Sequence, residues 1–191
     1  MPWYRRIFRP GGTYFLTLVT ENRAPLFKDA TNRRHLHRAL MECGENRPFL
    51  IDAIVLLPDH LHLLCTLPVN DLDYSARIAA IKAFFTRAYL SGGGEEQSRS
   101  ASRLAHRRRG VWQRRFWEHA VENQDDFNQH ADYIHYNPVK HRLARCPHQW
   151  EHSSFSKWVA VGKYEANWQC VCESGAIKPP KFEGVSWVEY D

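Results

Sequence analysis

Residues 48–68 read PFLIDAIVLLPDHLHLLCTLP. Two apolar runs are separated by only Pro58 and Asp59, and each run ends at a proline. Two residues leave no room for a crossover, so the runs predict two antiparallel strands joined by a tight hairpin. No other stretch constrains the fold as strongly.

The flanking segments extend the pattern. GGTYFLTLVT (11–20) is aromatic and β-branched and predicts a strand. DATNRRHLHRALMECGENR carries Leu36, Leu40 and Cys43 at helical spacing, with Thr31 or Asn32 able to cap its start. DYSARIAAIKAFFTRAYL predicts a second helix, with Ile78, Ile81, Phe85 and Tyr89 on one stripe and Lys82 and Arg87 off it. The glycine-, serine- and arginine-rich stretch near 91–110 predicts a mobile insertion. VWQRRFWEHAV follows as a fourth strand or extended piece. DDFNQHADYIHYNPVKH predicts a third helix with acids in its first turn.

The resulting order, β-α-β-β-α-β-α, is that of an α+β protein. It predicts a ferredoxin-like βαββαβ sandwich, an antiparallel four-stranded sheet with two helices on one face, plus an additional C-terminal helix. One domain is expected over residues 1–160 and an irregular tail over 161–191. Hydrophobic residues make up 43% of the chain, enough for a real core.

Charge is unevenly placed. The net charge is +5. Residues 1–20 hold Arg5, Arg6 and Arg9 and no acid, and residues 99–115 hold seven arginines and no acid. Five acids against two lysines follow Lys163. Such basic blocks predict a face built for phosphate, nucleic acid before membrane. No apolar run approaches the roughly 18 residues a membrane span needs, and no signal peptide is visible. The five cysteines are odd in number and include no C-x-x-C pair. Cys170 and Cys172 read as too close for an ordinary bridge or a zinc ribbon. These features predict a cytoplasmic protein in a reducing compartment.

His60 and His62 stand two apart on the second strand of the hairpin, so they share one face of the sheet. Two imidazoles on one strand face can chelate a single cation. The same spacing also fits two hydrogen-bonded or surface histidines. A second pair, His35 and His37, lies on a helix, where the rings diverge by about 200° and cannot share an ion. Tyr133 and Asn137 sit one turn apart on the third helix. An amide oxygen suits a hard ion such as Mg²⁺ or Mn²⁺, and a phenol beside such an ion can act as a nucleophile. Pro138 disfavours helical backbone at Asn137 and predicts that the helix ends or kinks there.

Taken together, YRRIFRPGGTYFLTLVT, LLPDHLHLLCTLP, WQRRFWEHAV and DYIHYNPVKH resemble the REP-associated tyrosine transposases, single-tyrosine members of the HUH class of DNA nucleases. The resemblance covers roughly residues 3–160, with the four motifs in register. It implies that His60, His62 and Asn137 hold a divalent metal, Mg²⁺ or Mn²⁺. It implies Tyr133 as the nucleophile, ahead of Tyr136. The implied activity is cleavage and rejoining of single-stranded DNA at repetitive extragenic palindromic hairpins, through a 5′-phosphotyrosine. It implies a monomer, cytoplasmic and associated with the nucleoid.

Arg5, Arg6, Arg9, Arg107, Arg108, Arg109, Arg114, Arg115 and Lys140 are the expected phosphate contacts. Trp117, with Trp112 and Phe116, is placed to stack on bases, although Trp112 and Phe116 are equally readable as core. Two other functions remain open: a non-catalytic hairpin-binding protein, and a metal-dependent nuclease that uses water.

Overall fold

The computed structural model describes residues 6–99, 101–106 and 108–172. Arg5, Arg107 and the expected tail from residue 173 onward lie outside the described residues. The elements, in chain order, are β1 (Thr13–Val19), α1 (Ala30–Asn46), β2 (Leu50–Leu56), β3 (His60–Thr66), α2 (Tyr74–Ser91), α3 (Ala101–Ala105), β4 (Trp117–Ala120), α4 (Gln124–Lys140) and α5 (Phe155–Ala160). The four strands form one sheet in the order β2-β3-β1-β4. β1 pairs antiparallel with both β3 and β4. This is the expected ferredoxin-like arrangement.

The chain divides into two compact units. The first takes in the described residues up to 52 together with 56–120. The Pro58–Asp59 turn closes as expected, with the Leu57 N–H donating to the His60 carbonyl at 2.8 Å. β1 is entered through a turn in which Gly11 adopts φ +65°, a left-handed conformation that suits glycine. A Cβ on the next residue, Gly12, would lie 2.9 Å from the Arg9 carbonyl oxygen, closer than a side chain tolerates.

Residues paired across strands share a face. Tyr14, Leu16 and Leu18 of β1 stand opposite Cys65, Leu63 and Leu61 of β3 and line the core. Tyr74 of α2 packs on Tyr14, with ring centroids 4.3 Å apart. The opposite face carries Thr17 beside His62, with Val19 paired to His60 and Phe15 to His119. All of β3 from His60 to Cys65 is buried, so both of its faces are covered.

Several boundaries differ from expectation. The cap of α1 is Asp29, whose carboxylate accepts from the Thr31 and Asn32 N–H groups; those residues donate rather than cap. Along α1 the buried stripe runs through Leu36, Ala39 and Cys43, leaving Leu40 half-exposed. β4 is only four residues long. Upstream of it, Trp112 makes an isolated bridge with Thr20 and packs against Phe27 and Phe85. Trp112 is therefore core, while Phe116 is half-buried. The 91–110 insertion contains α3, and its ends are joined by the Gln97 N–H donating to the Gly110 carbonyl at 2.9 Å.

The second unit comprises 53–55 and the described residues from 121 on. Its main helix, α4, is capped by Asn123, which accepts from the Asp126 N–H at 2.9 Å. The helix runs through Pro138 to Lys140 instead of stopping at Asn137. In the last turn, proline forfeits only its own N–H bond, and His141 and Arg142 close the end with bonds to the Asn137 and Val139 carbonyls at 3.0 Å. The short helix α5 has no counterpart in the sequence reading. Ser154, before α5, anchors to the middle of β2, donating its N–H to the Ile54 carbonyl and accepting the Ile54 N–H on Oγ, both at 2.9 Å. Residues 161–172 form turns.

Candidate active site

His60 and His62 are 5% and 4% exposed, with ring centroids 5.0 Å apart and planes nearly perpendicular. Each Nδ1 is tied within the first unit. The His60 Nδ1 lies 2.6 Å from Asp59 Oδ1, and the His62 Nδ1 lies 2.8 Å from Thr17 Oγ1. A carboxylate partner keeps the proton on His60 Nδ1 and makes Nε2 the lone-pair nitrogen, the outer-shell device that orients metal-ligating histidines. Thr17 can hold His62 in the same tautomer. Phe15 stacks on His62 at 5.4 Å and restricts the ring further.

Burial by itself would raise the Asp59 carboxyl. The hydrogen bond from His60, with Arg23 at 3.2 Å, outweighs burial and holds Asp59 below the ordinary carboxylate value. Sequence reasoning missed both supports. Asp59 was legible as the residue before His60. Thr17 is found only through the β1–β3 register that sets it opposite His62.

On α4, Tyr133 and Asn137 are both buried, at 3% and 0% exposure. Because the helix continues past Pro138, Asn137 stays one regular turn below Tyr133. Among the described residues, neither Oδ1 nor Nδ2 of Asn137 has a hydrogen-bond partner. A fully buried amide in that state costs about 1–3 kcal/mol and leaves its oxygen available to a ligand. Lys140, two turns beyond Tyr133, points its ammonium back along the helix. Its Nζ donates to the Tyr133 hydroxyl at 3.4 Å and lies 5.1 Å from the ring centroid. Tyr136 is half-buried, and burial raises its phenol above the ordinary value.

The expected phosphate contacts separate into groups. Arg6 is engaged with the protein. It pairs with buried Glu118 at 3.2 Å, donates to Ser75 Oγ at 2.8 Å and lies over the Phe116 ring. Arg9, Arg114 and Arg115 are exposed. Arg108, Arg109 and Arg114 converge on a cavity of about 660 Å³, joined there by Lys82, Arg87 and the edge of Trp112. Arg109 also pairs with Glu96. Lys82 and Arg87, off the apolar stripe of α2, were not foreseen as part of this basic lining. Trp117 is half-buried against Phe15 and His119.

The family description "Transposase IS200 like" matches residues 11–137, about two thirds of the chain and the span from the turn before β1 to Asn137. The chain belongs to the IS200-like transposases. Among relatives of this transposase is the REP-associated tyrosine transposase of Escherichia coli K12, 38% identical over 168 residues, covering 88% of this chain and 91% of the relative. A Haemophilus influenzae protein provisionally given the same name is 41% identical over 166 residues, covering 86% and 92%. A solved structure described as the REP-associated tyrosine transposase bound to a REP hairpin superposes with a TM-score of 0.74 at 35% identity, covering 95% of this chain and 98% of that one. The transposase thus falls in the REP-associated tyrosine branch that its four motifs resemble. Among its described residues, no helix is long and apolar enough to cross a membrane.

Proposed function

We propose that this transposase is a metal-dependent single-stranded DNA endonuclease and strand transferase, acting as a monomer on REP-like palindromic hairpins. The observation that carries the reading is the buried Asn137 amide without a hydrogen bond, one turn from Tyr133. The histidine pair, with both Nδ1 atoms already engaged, supports it.

In this reading, His60, His62 and Asn137 hold a divalent cation, Mg²⁺ or Mn²⁺. The donor set fits: two neutral imidazole nitrogens and an amide oxygen accept a hard or borderline ion. When bound, the ion polarises a phosphate oxygen and offsets charge on the scissile group. The Tyr133 hydroxyl attacks the scissile phosphorus in line. The phosphorus–oxygen bond to the 3′ oxygen breaks, leaving a 5′-phosphotyrosine and a free 3′-hydroxyl. Rejoining reverses the exchange, so no nucleotide cofactor is consumed. Lys140 places positive charge beside the tyrosine oxygen as its proton leaves. Arg9, Arg108, Arg109, Arg114 and Arg115 engage hairpin and flank phosphates, Arg5, Arg6 and Arg107 add positive charge that favours the same polyanion, and Trp117 stacks on a base. A nucleoid-associated, cytoplasmic location follows from such a substrate.

The test is a denaturing gel with a labelled palindrome and its flanks, run with Mg²⁺ or Mn²⁺. Wild type gives a slow covalent band that requires metal and is lost in Tyr133→Phe. Asn137→Leu keeps the side-chain volume and removes the orphaned amide. It is expected to lower cleavage at least about tenfold to a hundredfold while leaving Tm in chelator unchanged or higher. Cleavage that persists in Tyr133→Phe without the band would transfer the chemistry to water. Tight binding with no cleavage on several hairpins would leave only the binding role.

A further inference from the structure

Beyond the family's matched span lie Cys146-Pro147-His148 and Cys170-Val171-Cys172. Neither triplet resembles a metal knuckle by itself, and C-x-C reads as too short. The fold brings the two together. The Val171 N–H donates to the Arg145 carbonyl at 3.0 Å, pairing the chain on either side of the cysteines. The Gln149 side-chain carbonyl accepts the Arg145 and Cys146 N–H groups at 3.0 and 3.2 Å, shaping the turn that presents Cys146 and His148.

The four side chains converge. Cys146 and Cys170 are joined as a disulfide. The Cys172 sulfur lies 2.7 Å from that of Cys146, and His148 Nδ1 lies 3.5 Å from the Cys170 sulfur. One ligand atom each from Cys146, His148 and Cys170 falls within 4.8 Å of the others. A sulfur forms one disulfide, so that bond accounts for two of the four groups and leaves a thiol and an imidazole at the same point. Three sulfurs and one imidazole nitrogen are the donor set of a closed tetrahedral zinc site. Cys146 and Cys170 are buried, while His148 and Cys172 are exposed and leave a path for an ion.

We propose that, when reduced, Cys146, His148, Cys170 and Cys172 bind a structural zinc ion separate from the catalytic residues. Conversion of the disulfide form takes two electrons and two protons, both from a dithiol that leaves as its disulfide, or the electrons from a phosphine that leaves as its oxide and the protons from water. Zinc then displaces one proton from each of three thiols. His148 Nδ1 faces the sulfurs but also donates to the Ala166 carbonyl at 3.1 Å. Ligation through Nδ1 moves its proton to Nε2 and gives up that bond. The ion would fasten the segment after α5, whose Tyr164 donates to Asp132 of α4 at 2.6 Å and packs on Trp168 at 4.6 Å. Zinc affinity at such a staple becomes folding free energy.

Cobalt titration of the full chain, reduced with a phosphine and stripped of metal, tests this. One equivalent of Co²⁺ is expected to give the near-ultraviolet thiolate-to-cobalt charge-transfer band and the visible bands of a tetrahedral ion. The band is lost in Cys172→Ser and in Cys146→Ser but retained in His60→Ala. Zinc replaces cobalt and raises Tm by roughly 5 °C or more, the order expected when metal binding adds to folding free energy. Five titratable thiols with no charge-transfer band would overturn the proposal, as would a band that survives Cys172→Ser. A Cys146–Cys170 bond that resists the reductant, with Cys172 free, would make the cluster a disulfide.

Discussion

His135, on the same helix as Tyr133, shows how one buried group sets an acid limit. Tyr164 donates to Asp132, and the buried His135 ring sits between the Tyr164 oxygen, 3.3 Å from Nδ1, and Ser154 Oγ, 2.8 Å from Nε2. The ring is neutral, and burial lowers its pKa to about 3. The unfolded chain protonates this imidazole near 6.5, while the folded protein resists protonation until about 3. Stability is therefore unaffected above 6.5 and falls as pH drops from 6.5 toward 3, with a limiting slope of about 1.4 kcal/mol per pH unit. Denaturant melts between pH 7 and 5 are expected to show this slope, and His135→Gln to flatten it. Equal slopes in the two proteins would mean that other groups govern the acid side. Asp132 and Asp52, raised by burial, act in the opposite sense, so comparison with the variant isolates the imidazole.

At the scale of elements, the reading of each segment depended on how local its causes were. The β2–β3 hairpin was legible because a two-residue gap allows one connection. The break expected at Asn137 does not occur, because proline's penalty depends on its position in the helix. Pro138 sits in the last turn, where little helix remains to disrupt. The Asn123 cap bears on the proposed nucleophile, since α4 carries it. Asn123→Ala removes the bond to the Asp126 N–H and is expected to cost about 1 kcal/mol. In a domain of this size that is a Tm decrease of roughly 2–4 °C. Calorimetry checks it, and an unchanged Tm would place the start of α4 outside the cooperative unit.

Across the whole molecule, the proposed DNA contact rests on charge placement. Arg108, Arg109 and Arg114 meet Lys82 and Arg87 of α2 around one cavity, where the like charges favour a polyanion. Hairpin affinity is expected to fall steeply with salt. Changing Arg108, Arg109 and Arg114 together to Gln should reduce the log–log slope by up to about 2, at roughly 0.7–0.9 per lost phosphate contact. A slope unchanged in the triple variant would move the phosphates elsewhere on the surface.

Residue order and spacing were enough to give the βαββαβ order, the shared face of His60 and His62 and the i, i+4 relation of Tyr133 to Asn137. Those relations follow from strand and helix periodicity, which acts over a few residues. Long-range packing was needed to show that Thr17 supports His62, that Trp112 is core, that Lys82 and Arg87 join Arg108, Arg109 and Arg114, and that Cys146 and His148 meet Cys170 and Cys172. These partners lie from about 20 to about 90 residues apart in sequence. Nothing in local periodicity ranks one distant pairing above another; the sheet register and the packing of the connecting segments do.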